Sequence, residues 1–159
     1  MTSNTPGPPV RLAVAVSRFN EEITGGLLKG AQIYLDQHGA QIADDDVINA
    51  SGAFELPLIA QALARTGRYD GVICLGCVIK GDTAHFEFIS LGASIGLMTV
   101  ALATEIPIAF GILTTYTDEQ AKARSGDDAS NKGREAAAAC LETVLTLRGI
   151  RQASEPASH

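Results

Sequence analysis

The chain has 159 residues, 46% of them hydrophobic and 19% charged, with a formal net charge of −6. That length makes one domain able to bury roughly 70% of the surface its unfolded chain exposes, so no disulfide or metal staples are needed, and the apolar, weakly charged composition excludes overall disorder. The acidic balance excludes a nucleic-acid binder that works through a broad basic face, and the low charged fraction points to surface covered in an oligomer.

Met1 to Pro9 is rich in Pro, Gly and small polar residues and reads as a flexible arm over residues 1–9. It carries no basic segment followed by an apolar core, so no secretory signal is visible. A single α/β domain is expected over residues 10–150, and a flexible polar tail over 151–159. The domain opens on Leu12–Val16, a short apolar run that predicts a strand. Glu21 to His38 predicts a helix, with Ile23, Leu27, Ala31, Tyr34 and Leu35 on one face. Glu21 and Glu22 suit its N-terminus, Gly39 its end, and His38 sits at a helix C-terminus, where a cation is favourable. Val47–Asn49 ends a second, weaker strand. A helix follows over about Phe54–Arg65, with Pro57 tolerated in its first turn. Val72–Ile79 is apolar on both faces, as a central parallel strand must be. Thr83–Thr104 predicts a long helix and Ile108–Leu113 a fourth strand. A short helix near Asp118–Ala123 and a last one over about Asn131–Arg148 complete the order, with Gly149 as the stop.

Alternating strands and helices predict an α/β fold. The spacing suggests a flavodoxin-like three-layer sandwich, a four-stranded parallel sheet with helices on both faces. In Thr83–Thr104, Phe86, Ile89, Ala93, Leu97 and Val100 form one apolar stripe, and Phe88, Leu91, Ile95, Met98 and Leu102 form another. A helix apolar nearly all round must be buried nearly all round, so this one should pack against another subunit. Its weakly polar core, Phe88–Ala103, is short of the ~20 residues a membrane span needs. The expectation is a soluble cytoplasmic protein with no membrane and no nucleic-acid partner.

In open α/β sheets ligands bind beyond the carboxyl ends of the strands. Those ends here carry Ser17-Arg18-Phe19-Asn20, Ser51-Gly52-Ala53-Phe54-Glu55, Lys80-Gly81-Asp82-Thr83-Ala84-His85 and Thr114-Thr115-Tyr116-Thr117. Phe19, Glu55 and His85 together supply an aromatic face, a carboxylate and an imidazole that can shuttle protons near neutrality. Gly81-Asp82-Thr83, opening the long helix, reads either as an anion site or as an ordinary N-cap. Arg124, Lys132 and Arg134 could complete a phosphate site or could be solvated surface. Two motifs are decoys. Gly76 to Thr83 has P-loop spacing, but Asp82 stands where that motif requires Lys. Cys74 and Cys77 are spaced C-x-x-C, but residues three apart on a strand face opposite ways and cannot share a metal. Three cysteines, these two and Cys140, read as packed, reduced thiols.

Taken in order, Arg18-Phe19-Asn20, Gly52-Ala53-Phe54-Glu55-Leu56-Pro57, Gly76-Cys77-Val78-Ile79-Lys80-Gly81 with Thr83 and His85-Phe86, Gly111-Ile112-Leu113-Thr114-Thr115 and Asn131-Lys132-Gly133 resemble the 6,7-dimethyl-8-ribityllumazine synthase family over about Val10 to Arg148. The resemblance implies condensation of 5-amino-6-(D-ribitylamino)uracil with 3,4-dihydroxy-2-butanone 4-phosphate in riboflavin biosynthesis, without metal or organic cofactor. It implies that Phe19 stacks on the pyrimidine and that Ala53, Phe54 and Glu55 line the ribityl side. It implies that Cys77, Val78 and Ile79 meet the pyrimidine through backbone groups. Asp82 and Thr83 match the phosphate-binding turn, Arg124 its counter-ion, His85 the proton-transfer group and Lys132 a basic residue near the substrates. Phe110 matches an aromatic supplied by a neighbouring subunit.

Two departures stand out. Asp82 puts a negative charge beside a phosphate site, and is expected to cap the helix facing outward. Tyr116 replaces a short polar residue. Family members form pentamers, or twelve pentamers closed into a shell. Ser125-Gly126-Asp127-Asp128-Ala129-Ser130 lacks the Gly- and Lys-containing bend of shell formers, and Pro8 and Pro9 limit strand pairing by the arm, so an isolated pentamer with sites shared between neighbours is expected. A catalytically silent flavin-binding or scaffold paralogue is the alternative. It should have lost His85, Arg124 or Glu55, and all three are present. A receiver-like signalling domain is disfavoured because Asp44-Asp45-Asp46 precedes the second strand.

Overall fold

The computed structural model describes residues 7–40 and 42–155. The expectations for residues 1–6 and 156–159 lie outside the described residues. Four parallel strands form the sheet: β1 (Leu12–Ser17), β2 (Val47–Ala50), β3 (Gly71–Ile79) and β4 (Ile108–Thr115), in the order β2-β1-β3-β4. The helices are α1 (Glu21–Gln37), α2 (Leu56–Arg65), α3 (His85–Thr104), α4 (Asp118–Ala123) and α5 (Lys132–Ser154).

The two central strands are buried on both faces, which is why they read as unbroken apolar runs. On one face Leu12, Val14 and Val16 of β1 and Ile73, Leu75 and Cys77 of β3 pack with α1 and α5. On the other, Ala13 and Ala15 of β1 and Val72, Cys74 and Val78 of β3 pack with α2 and α3. Cys74 and Cys77 therefore lie in different layers, as strand alternation requires.

Several element ends differ from the expected ones. α3 begins at His85 rather than Thr83, because Gly81 to Ala84 are spent on the turn out of β3 and the Thr83 hydroxyl accepts the His85 N–H at 3.3 Å. Asp82 is exposed and makes no cap among the described residues, so the expected outward N-cap is not formed by this carboxylate. α2 begins at Leu56 after a 3-10 turn over Ala53–Glu55. α5 runs through Gly149 to Ser154 instead of stopping. One glycine costs a helix only about 1 kcal/mol, and beyond it Arg151 donates to the Glu105 carbonyl at 2.8 Å, tying the last turn of α5 to the end of α3. Gly39 does end α1. It takes φ +73, and the Ala40 N–H reaches back to the Leu35 carbonyl at 2.9 Å.

The seam between α1 and α5 is set by small residues. Asn131 is buried, accepts the N–H groups of Gly133 and Arg134, and donates to the carbonyls of Gly26 at 3.0 Å and Gly126 at 2.8 Å. Gly133 sits so close to the Leu27 backbone that a Cβ there would overlap its carbonyl. Gly133→Ala is expected to destabilise the fold by about 2 kcal/mol, through this overlap, with secondary structure retained. Urea unfolding of the two proteins checks it, and an unchanged midpoint would show that the two helices can part without cost.

α3 is long and apolar enough to cross a membrane by length and composition. One stripe, Ala93, Leu97 and Val100, is buried on the domain. The second stripe, Phe88, Leu91, Ile95, Met98 and Leu102, stands exposed in the single chain.

Candidate active site at the carboxyl ends of the strands

The parallel sheet brings the ends of β1, β2 and β3 to one edge, and a cavity of about 500 Å³ opens there on the α2–α3 side. Phe19 enters from the loop after β1. Its ring is 67% exposed, and its N–H donates to the Ser17 hydroxyl at 3.2 Å. The next residue, Asn20, takes a left-handed conformation (φ 62), which asparagine tolerates better than most side chains. Its side-chain amide donates to the Cys77 carbonyl at 3.2 Å and pins the Phe19 loop to the end of β3.

The segment after β2 folds back in the 3-10 turn, with the Glu55 N–H donating to the Gly52 carbonyl at 3.3 Å. This turn buries Ala53 and leaves Phe54 and Glu55 facing outward into the cavity. From β3 come Cys77, Val78 and Ile79. Burial pushes the Cys77 thiol up to about 11, so it stays protonated at neutral pH and is no nucleophile. Burial likewise raises Cys74, and raises Cys140 to about 12. The turn into α3 then supplies Gly81, Thr83 and His85 to the lining.

Nine of the thirteen expected site residues therefore meet in one cavity: Phe19, Ala53, Phe54, Glu55, Cys77, Val78, Ile79, Thr83 and His85. Asp82 is exposed beside the turn and is not part of the lining. Phe110, Arg124 and Lys132 are elsewhere. They line a second cavity of about 330 Å³ between the edge strand β4 and α5. Arg124 caps α4 and donates to the Gln120 carbonyl at 2.9 Å, and Lys132 pairs with Glu135 at 2.8 Å. Among the described residues, none lines both cavities.

The charge division follows. The first cavity offers aromatic rings, a carboxylate, an imidazole and the turn that opens a twenty-residue helix, but its described lining holds no Lys or Arg. The cations are on the second cavity, beside an exposed Phe110.

Phe86 and Ile89 also line the first cavity, although the helical periodicity assigns them to a packed stripe. They are partly buried against the core and show their remaining surface to the cavity. The available signal was position: both fall within the first turns of α3, next to His85. Glu135 on the second cavity was not singled out, and its spacing of three from Lys132 on α5 was the only clue.

Comparison with known proteins supplies the chemistry. A family model described as 6,7-dimethyl-8-ribityllumazine synthase matches residues 9–148. A Caulobacter vibrioides protein named 6,7-dimethyl-8-ribityllumazine synthase 1 is 70% identical over 147 residues, covering 92% of this chain and 95% of that protein. Proteins named 6,7-dimethyl-8-ribityllumazine synthase from Salinibacter ruber and Lactiplantibacillus plantarum are 52% and 49% identical. The former match covers 86% of this chain and 88% of that protein, and the latter 92% of both.

Proposed function

We propose, for a chain that belongs to the 6,7-dimethyl-8-ribityllumazine synthase family, that its two cavities are the two halves of one active site, joined across neighbouring copies. The enzyme is a transferase that condenses 5-amino-6-(D-ribitylamino)uracil with 3,4-dihydroxy-2-butanone 4-phosphate to give the lumazine, phosphate and water, in riboflavin biosynthesis. Nothing in the fold or in the relatives favours a silent paralogue. The observation that carries the two-half reading is the segregation of cations: the described lining of the first cavity has no Lys or Arg, and Arg124 and Lys132 line a cavity of their own.

In this reading Phe19 stacks on the pyrimidine ring, and Phe110 of the neighbouring copy closes over the same ligand. Glu55 accepts from ribityl hydroxyls beside Ala53 and Phe54. Backbone groups of Cys77, Val78 and Ile79 meet the pyrimidine edge. The phosphate lies on the N–H groups of the Asp82–Thr83 turn and the Thr83 hydroxyl, and Arg124 of the neighbour neutralises it. Lys132 adds positive potential. The substrate's amine attacks the ketone and one water leaves as the imine forms; phosphate is eliminated, the ribitylamino nitrogen attacks the carbonyl that the elimination leaves, and a second water leaves as the ring closes. Each step moves a proton, which we assign to His85; its position at the start of α3 in the cavity lining supports that role. No electrons are transferred, so a redox cofactor has no role. Much of the acceleration comes from holding two substrates together.

The exposed stripe of α3 is the surface we assign to the contact between copies, with the isolated pentamer favoured over the shell and the cytoplasm as its location. Sedimentation of the native protein separates five copies from sixty. The reaction itself is followed by lumazine absorbance. Replacing His85 with Ala is expected to slow turnover by about 10²-fold, the lower end of acid–base contributions. Turnover unchanged in the variant would remove His85 from the proton path.

A further inference from the structure

The phosphate end of the first cavity has a neighbour on its β4 side that the reaction has not yet used. Lys80 lies between Ile79 and Gly81, both of which line the cavity, and is itself exposed. Its N–H donates to the Thr115 carbonyl at 2.9 Å, which extends the β3–β4 ladder and fixes its backbone. Its ammonium lies 5.5 Å from the centroid of the Tyr116 ring, within cation–π range. The Tyr116 ring in turn leans on Phe86 at 6.0 Å and 43°. Phe86 lines the cavity next to His85. Tyr116 is held from behind, because its N–H donates to the Gln120 side chain at 2.9 Å. A connected series Lys80–Tyr116–Phe86 therefore borders the Gly81–His85 turn.

We propose that Lys80 recognises the phosphate-bearing substrate at this rim, and that Tyr116 is a positioning residue whose ring face holds the lysine ammonium beside the phosphate turn. The electrostatics require such a group. The lining of this cavity carries no cation, and Asp82 places a negative charge beside the turn. A dianion approaching before the neighbour's Arg124 engages it meets Lys80 as the cation of this half. A lysine on a free stem would spread that charge over many rotamers. An aromatic face restricts the ammonium without neutralising it, as a carboxylate would. A short polar residue at position 116 offers no such face, which gives the tyrosine a reason.

The inference rests on the phosphate lying at the Gly81–His85 turn, and the test separates the two. Steady-state kinetics are measured with each substrate varied in turn, at low and high salt, for the wild-type enzyme, Lys80→Ala, Tyr116→Leu, Tyr116→Phe and Thr83→Ala. Lys80→Ala is expected to raise KM for the butanone phosphate about fivefold, with a smaller change in kcat and in KM for the uracil, and to flatten the salt dependence of kcat/KM. Tyr116→Leu should raise the same KM about threefold, and Tyr116→Phe, which keeps the ring, should recover most of that loss. Thr83→Ala raising this KM while Lys80→Ala leaves it unchanged would overturn the present inference alone. Neither variant affecting it would overturn the phosphate placement and this inference together. Equal rises for both substrates, or equal losses in Tyr116→Leu and Tyr116→Phe, would also overturn the roles given to Lys80 and Tyr116.

Discussion

Subunits carrying His85→Ala and subunits carrying Arg124→Ala, each nearly inactive alone, are expected to recover about a quarter of wild-type turnover when unfolded together in equal amounts and reassembled. The fraction follows from the geometry. His85 lines the first cavity and Arg124 the second, and none of the described residues lines both. If a site takes one cavity from each of two neighbours, a random ring places an intact first cavity beside an intact second cavity one time in about four. Arg124→Ala alone should cost about 10²-fold in kcat/KM, the scale of a lost charge-assisted pair with phosphate. Refolded single-variant controls set the baseline. If all the groups acted within one chain, mixing would return only the average of the two parents, and the shared site would be refuted.

A charge on the outer stripe of α3 is expected to dissolve the assembly and the activity with it. Ile95→Lys is the sharpest form. Ile95 is 57% exposed in the single chain, so lysine there disturbs no intrachain packing and the subunit should keep its circular dichroism. In the oligomer the same side chain would be buried among Leu91, Met98 and their counterparts, where an unpaired ammonium costs several kcal/mol. Sedimentation should then show monomers, and turnover should fall by about 10²-fold because the cations of the second cavity no longer reach the first. A monomer with full activity would reject the two-copy site. An intact oligomer would move the subunit contact to another face.

Much of this was legible in residue order because it depends on local physics. β1 and β3 are unbroken apolar runs because both their faces are covered, and α1 carries its apolar face at the helical period and ends at a left-handed Gly39. The C-x-x-C spacing could be dismissed from strand alternation alone, and Cys74 and Cys77 do pack in opposite layers. Where the expected ends differ, a specific side-chain hydrogen bond decided. Gly149 looked like a stop, but Arg151 finds the Glu105 carbonyl and carries α5 on to Ser154. Asp82 looked like a cap, but the Thr83 hydroxyl takes the His85 N–H, and the helix starts later.

Residue types and their spacing determined the parallel three-layer architecture, the surplus apolar stripe of α3 and the clusters at the strand ends, because each depends on periodicities of 2 and 3.6 within a short segment. They also carried the family, through several motifs in one order. Only the tertiary structure decided how those clusters divide. Arg124 and Lys132 follow β4 and open onto the α5 side, and Thr83 and His85 follow β3 and open onto the α3 side, so one chain keeps the Thr83–His85 turn and these two cations apart. No local pattern encodes that, since which face of a sheet a side chain reaches depends on the crossover of the chain between strands. The role of Tyr116 is of the same kind: its contacts with Lys80 and Phe86 span thirty residues or more of chain and exist only because β3 and β4 are neighbours in the sheet.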